Sequence, residues 1–348
     1  MHGTYDNFAV ERIVYGRPAA EVLAAEAARI GARRVFMLVS RTLDRETDWV
    51  DALRTALGDR YAGSCDGMPP HTPRDAVLDA TAAARNAGAD LIVSFGGGSL
   101  TDAAKMVRLA LQHDIHSIED FDRFVVRVQP DGSRLMPNYA APEIGQIAIP
   151  TTLSGGDFNP SAGCTDPRTM LKEIFRHPKL MPRVIVLDPA VTLRTPTWLW
   201  LSTGIRALDH AVETICADTA DPRSWLESLH AVRLLHSALP RTKADPGDQP
   251  ARLDAQLAVC RRRSTIASAY RWARATGSAM CWAAPATCRT ATRHASCCRR
   301  CCAGTNRRMR RGRSWWRRRW ARRTVRPGRC WMSSSPASAC RARWPRWA

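Results

Sequence analysis

The chain has 348 residues and a formal charge of +20, from 52 Lys and Arg against 32 Asp and Glu. From Arg261 onward there are 24 Arg, eight Cys and eight Trp with no Asp, Glu or Lys, so residues 1–260 hold 28 basic against 32 acidic side chains. That body lacks the basic surface nucleic acid demands and any apolar run of the ~18 residues that cross a bilayer, and its scattered Cys65, Cys164, Cys216 and Cys260 suit a reducing cytosol.

Arg12–Gly16 reads as a short strand ended by glycine. Ala19–Ile30 follows as a helix, with Ala and Glu at helical spacing and Gly31 as its stop. Val35–Val39 is a continuous apolar run, the pattern of a strand buried on both faces. Asp48–Gly58 and Thr72–Gly88 are amphipathic and helical, Ala89–Phe95 is a second buried strand, and a helix is expected over about Thr101–Leu111. Gln146–Pro150 and Arg183–Leu187 add short apolar strands, and from Thr195 the pattern turns helical. Strands and helices alternating at this spacing predict a parallel α/β sheet followed by an all-α region. The opening Met1-His2-Gly3-Thr4-Tyr5-Asp6 lacks the basic-then-apolar layout of a signal peptide, so a cytoplasmic protein is expected.

Three stretches carry chemistry. Gly96-Gly97-Gly98-Ser99 lies between a buried strand and a helix start, where backbone N–H groups and the helix dipole converge on an anion. The glycines let a pyrophosphate approach closely; the plainer reading is a tight turn. Asp102 and Lys105 extend the pattern, Asp102 as a cap or ribose acceptor and Lys105 as a cation facing the site or, alternatively, a solvated helix face. Pro150-Thr151-Thr152 closes a strand and sets two hydroxyls at the carboxyl edge of the sheet, for a ligand or for local turns. Arg206 and His210, four apart on a predicted helix, face one way, with Asp209 and Glu213 beside them. In isolation His210 reads as an ordinary core or surface histidine.

In this order, G-G-G-S-L-T-D-A-A-K, P-T-T-L-S-G-G-D-F, V-I-V-L-D-P and G-I-R-A-L-D-H-A-V-E resemble the iron-containing alcohol dehydrogenase family, and within it the maleylacetate reductases of aromatic-compound catabolism. The resemblance covers nearly all of residues 5–260. It implies an α/β NAD(P)-binding domain over 1–155 and a helical substrate domain starting over 156–262, the architecture shared with dehydroquinate synthase. It also implies NAD(P)H held by Gly96, Gly97, Gly98, Ser99, Asp102, Thr151 and Thr152, with substrate in the cleft between domains. Metal-dependent members hold a divalent ion with one Asp and three His. Here the Asp position is Arg206, while His210 keeps a ligand position, so no metal is expected: a guanidinium cannot ligate a cation and repels it. Arg206 would instead grip a carboxylate bidentately, which suits a dicarboxylate substrate, and His210 would polarise or protonate the reacting oxygen. The expected reaction is reduction of maleylacetate to 3-oxoadipate, by a homodimer if the reading frame is intact, with no membrane or specific nucleic-acid partner.

The end of the chain reads differently. Runs such as Cys297-Cys298-Arg299-Arg300-Cys301-Cys302 look like a GC-rich gene translated out of frame. The code tests this, because Met280-Cys281-Trp282-Ala283 must be ATG-TGY-TGG-GCN, and its neighbouring frame spells Val-Leu-Gly with no freedom. Trp272-Ala273 likewise forces Gly, and Cys297-Cys298 forces Leu. Around these fixed points the other frame permits H-G-I-G-H-V-L-G-G and P-H-G-Y, which extend the same family resemblance. The slip is placed between Cys260 and Tyr270, and residues 263–348 are expected to pack no core. A one-base correction upstream of Tyr270 should restore a tail with Asp and Glu and without Trp pairs. Resequencing that shows one uninterrupted frame, with peptides from Trp315–Arg319 detected in cells, would sink the idea.

Overall fold

The computed structural model describes residues 10–131, 133–217 and 222–266. In chain order they form β1 (Arg12–Tyr15), α1 (Ala19–Ile30), β2 (Val35–Val39), α2 (Arg41–Glu46), α3 (Trp49–Leu57), β3 (Tyr61–Cys65), α4 (Arg74–Asn86), β4 (Leu91–Gly96) and α5 (Gly98–Gln112). A small hairpin, β5 (Arg127–Val128) and β6 (Arg134–Leu135), precedes β7 (Gly145–Pro150). A second hairpin, β8 (Ser161–Asp166) and β9 (Leu171–Arg176), leads to β10 (Val184–Leu187) and then to α6 (Thr197–Ile215), α7 (Pro222–Ala244) and α8 (Gln249–Ile266).

Six strands pair in the order β1-β10-β7-β4-β2-β3, every pair parallel. Every residue of β2, β4, β7 and β10 is buried, as the continuous apolar runs predict. Alternate residues serve opposite faces. Val35, Met37 and Val39 pack with Leu23 and Leu53 of α1 and α3, whereas Phe36 and Leu38 pack with Val77, Ala103 and Val107 of α4 and α5. On that second face Ala148, Ile185 and Leu187 meet Trp200, Leu235 and Ala255, so the helical region grows directly off the sheet. Trp200 is fully buried, donates from Nε1 to Thr242 Oγ1 at 3.2 Å, and carries the Arg252 guanidinium 4.6 Å from its ring centre.

The α/β-then-helical class agrees with the expectation. Helix α1 runs Ala19–Ile30 as read, because Gly31 closes it in the left-handed region at φ 81°. Strand β10 returns the chain to the sheet downstream of residue 155, so the sheet draws on residues through Leu187. Helix α4 starts at Arg74 rather than Thr72, since His71 and Thr72 both stand at positive φ, 68° and 57°. Among the described residues no helix is long and apolar enough to cross a membrane. The expectations for 267–348 lie outside the described residues.

Candidate functional site

The chain leaves β2 toward β3 on one side and leaves β4 toward β7 on the other. Neighbouring strands whose connections diverge open a crevice at their carboxyl ends, where open parallel sheets bind ligands. Gly96 pairs with Pro150 across β4 and β7, so Gly96–Ser99 and Thr151–Ser154 emerge side by side at that edge.

Each glycine of the run does a different job. Gly96 sits at φ 148°, and a Cβ there would stand 2.4 Å from Leu100 Cδ1. At Gly98 a Cβ would stand 2.7 Å from Ser154 Oγ. Gly97 caps α5 from an extended conformation (φ −81°), and its added Cβ would meet Thr152, with Cγ2 at 3.4 Å and Oγ1 at 3.9 Å. No side chain caps α5 and no acid lies in its first turn, which leaves its positive end open to an anion. A pyrophosphate therefore fits the residues present. Gly97→Val should keep the fold yet weaken nucleotide binding at least about tenfold, since hydrogen bonds to a charged group are worth roughly 1.5–3 kcal/mol each. Titration of nucleotide into the protein and the variant checks this; equal affinities would remove the glycine run from the site.

The flanks are held in place. Thr151 donates its N–H to Gly96 O at 3.0 Å and accepts from Thr195 Oγ1 at 2.7 Å on its own carbonyl. Thr151 and Thr152 are both buried. Ser99 is engaged from the other side: His71 N–H donates to its Oγ at 3.1 Å and Thr72 Oγ1 to its carbonyl at 2.9 Å. The left-handed His71–Thr72 turn, costly for a β-branched residue, is in turn latched by Thr165.

Lys105 corrects an expectation. It is fully buried, and its Nζ donates to the carbonyls of Gly156, Asn159 and Ser161 at 2.8, 2.6 and 2.9 Å. Its ammonium is turned onto the chain after β7, where the Gly156 carbonyl also accepts the Asn159 N–H at 3.1 Å. One turn earlier on α5, Thr101 donates to Asp157 Oδ1 at 2.6 Å, and burial pushes the Asp157 carboxyl above its usual range. Asp102 remains at the crevice, with Lys172 Nζ of β9 3.4 Å from its Oδ2.

Helix α6 closes the site from the β7 side, with Thr203 Oγ1 accepting the Leu153 N–H at 3.2 Å. One turn on, half-buried Arg206 is drawn below its usual pKa by burial, against the opposing charges of Asp102, Asp209 and Glu213. Arg206 Nε donates to His210 Nε2 at 3.5 Å, and His210 Nδ1 lies 3.3 Å from Glu213 Oε2. The structure thus gathers the glycine run, Thr151, Thr152, Asp102, Arg206 and His210 around one crevice, and takes Lys105 away from it. Among the described residues three carboxylates that could hold a cation, Asp122, Asp166 and Glu173, surround Arg74 instead, which pairs with all three.

Lys172 and Ser154 were not singled out from the sequence. Lys172 reaches the crevice only because β8 and β9 fold back as a hairpin, whose turn signal, Asp166-Pro167, was there to read.

A family model described as iron-containing alcohol dehydrogenase matches residues 10–189. Dehydrogenase FUM7 of Gibberella moniliformis is 36% identical over 211 residues, 60% of this chain and 50% of that protein. Maleylacetate reductase 2 of Cupriavidus pinatubonensis is 32% identical over 241 residues, 69% of this chain and 57% of its own length. The crystal structure of maleylacetate reductase from Agrobacterium tumefaciens superposes with a TM-score of 0.62 at 27% identity, covering 76% of this chain and 65% of that one. The chain spans only 50 to 57% of the length of these two curated relatives.

Proposed function

We propose that this chain, which belongs to the iron-containing alcohol dehydrogenase family, is the frame-shifted form of an NAD(P)H-dependent oxidoreductase that reduces maleylacetate to 3-oxoadipate. The observation that carries the reading is Arg206. By the family resemblance Arg206 stands where metal-using members place an Asp, and it lies within the field of Asp102. The residues present do not suit iron: the Arg206 guanidinium donates to His210 Nε2, His210 Nδ1 faces Glu213, and a guanidinium repels a cation. No step is therefore assigned to a metal.

The cofactor, when bound, supplies the hydride. Gly97, Gly98 and Ser99 would hold its pyrophosphate, and Thr151 and Thr152 would border it. Arg206 would fix one substrate carboxylate and so orient the double bond conjugated to the ketone. As hydride adds to that double bond, charge develops on the ketone oxygen. His210, backed by Glu213, would steady it and deliver the proton that completes 3-oxoadipate. A second reading, another carbonyl or alcohol oxidoreductase of the family, draws on the 36% identity to a dehydrogenase whose name specifies no dicarboxylate. The out-of-frame tail also belongs to the proposal: the frame-corrected enzyme carries the activity, and the 348-residue chain has little or none. Its support is that similarity to the reductases covers 69% of this chain while 43% of the relative is unmatched. A cytoplasmic, homodimeric enzyme completes the picture once the frame is restored.

The test compares maleylacetate with an uncharged carbonyl analogue, using the frame-corrected enzyme before and after exhaustive chelation. Preference for maleylacetate should persist without metal. Activity lost to EDTA and restored by iron or zinc would defeat the metal-free mechanism.

A further inference from the structure

We infer that the chain selects NADPH over NADH, with Arg41 and Arg45 as the seat of the 2′-phosphate. This rests on the reading of Gly97–Ser99 as the pyrophosphate seat. From that seat a dinucleotide extends in two directions. The β7 side leads to Thr203 and Arg206 of α6, where the substrate chemistry would lie, so the hydride-bearing half must run that way. The adenosine half is left to cross the carboxyl end of β2. Ser40 stands there, its N–H bonded to Phe95 O at 3.0 Å and its Cβ 3.2 Å from where a Gly96 Cβ would be.

At the end of the strand next to the glycine turn, an acidic residue accepts the ribose hydroxyls of NAD and repels the 2′-phosphate of NADP, whereas an arginine accommodates that phosphate. This chain has Ser40-Arg41-Thr42 at that place. The nearest acid along the chain, Asp44, is 2.7 Å from Arg54 and turned to that partner. Arg41 and Arg45, one turn apart on α2, share a single carboxylate oxygen, Asp66 Oδ2, at 3.4 and 3.8 Å. Two guanidiniums against one carboxylate leave a net positive charge, and both side chains are more than half exposed, at 57% and 68%. A phosphate monoester can take bidentate contacts from such a pair without desolvating a buried group.

Calorimetric titration of the full 348-residue chain with NADP⁺ and with NAD⁺ tests this, because the Arg-rich tail is common to every variant. NADP⁺ should bind about tenfold or more tighter, and Arg41→Ala with Arg45→Ala should abolish that ratio while leaving NAD⁺ affinity within about twofold. Ser40→Asp should reverse the preference by opposing the phosphate and offering the ribose an acceptor. Equal or tighter binding of NAD⁺ by the parent chain, or a preference that survives the double substitution, overturns the inference alone. Failure of a folded chain to bind either nucleotide overturns the pyrophosphate seat and this inference with it.

Discussion

Lys105→Met should destabilise the protein by roughly 3–5 kcal/mol, the usual cost of removing one partner from a buried ionic arrangement. Methionine fills the space of the lysine stem but takes the ammonium donor from the carbonyls of Gly156, Asn159 and Ser161, of which Gly156 keeps the Asn159 N–H. Each unsatisfied carbonyl costs about 1–3 kcal/mol, partly offset because a buried ammonium no longer has to be desolvated. Asp157 also loses the positive charge that opposes its burial. Urea denaturation of the frame-corrected chain measures the loss, and proteolysis should open the Gly156–Ser161 turn first. The same variant separates two roles. A lysine facing the ligand would lower nucleotide affinity at unchanged stability, whereas a lysine that pins the turn lowers both. A Met variant as stable as its parent refutes the pinning role.

Arg206→Ala should lower kcat/KM for maleylacetate by about 30- to 1,000-fold, since a charge-assisted bidentate contact is worth roughly 2–4 kcal/mol. The effect should be far smaller for a neutral aldehyde, which has no carboxylate to lose. Arg206→Lys should restore only part of the rate, because an ammonium cannot reproduce the planar fork. Removing the guanidinium also leaves Asp102, Asp209 and Glu213 without its charge and takes the donor from His210 Nε2. The split between charged and neutral substrates therefore matters more than the absolute loss. Equal losses on both would make Arg206 a support for the helix rather than an anchor for substrate.

The sheet was legible because its central strands are apolar on both faces, and a run such as Val35–Val39 has the pattern of a strand buried on both sides. Strand β3 was missed for the converse reason. It is an edge strand of intermediate burial, Tyr-Ala-Gly-Ser-Cys, with neither an apolar run nor clean alternation. The β8–β9 hairpin hid because its second strand mixes Lys172, Glu173 and Arg176 with apolar residues. Glycine positions were readable from local chemistry, since the need for close approach at Gly98 depends on a neighbour only a strand away. The direction of Lys105 was not. Helical spacing places it on a face of α5 but cannot say that the turn after β7 arrives there with three carbonyls. Arg206 drew its meaning from resemblance, and its neighbourhood with Asp102 from tertiary structure.

The pairing of β1 with β10 has a consequence for how the chain is made. Arg12 lies opposite Val184, so the first strand synthesised must wait for the last strand of the sheet to leave the ribosome. At about 5–20 residues per second that wait is roughly ten to thirty seconds, during which β1 has no hydrogen-bonding neighbour. Its partner is complete at Leu187, well upstream of the compositional break at Arg261. The six-stranded sheet and its glycine turn can thus assemble on the nascent chain before any of the tail is translated. Whatever the segment after Arg261 contributes, it is synthesised once all six strands of the sheet are complete.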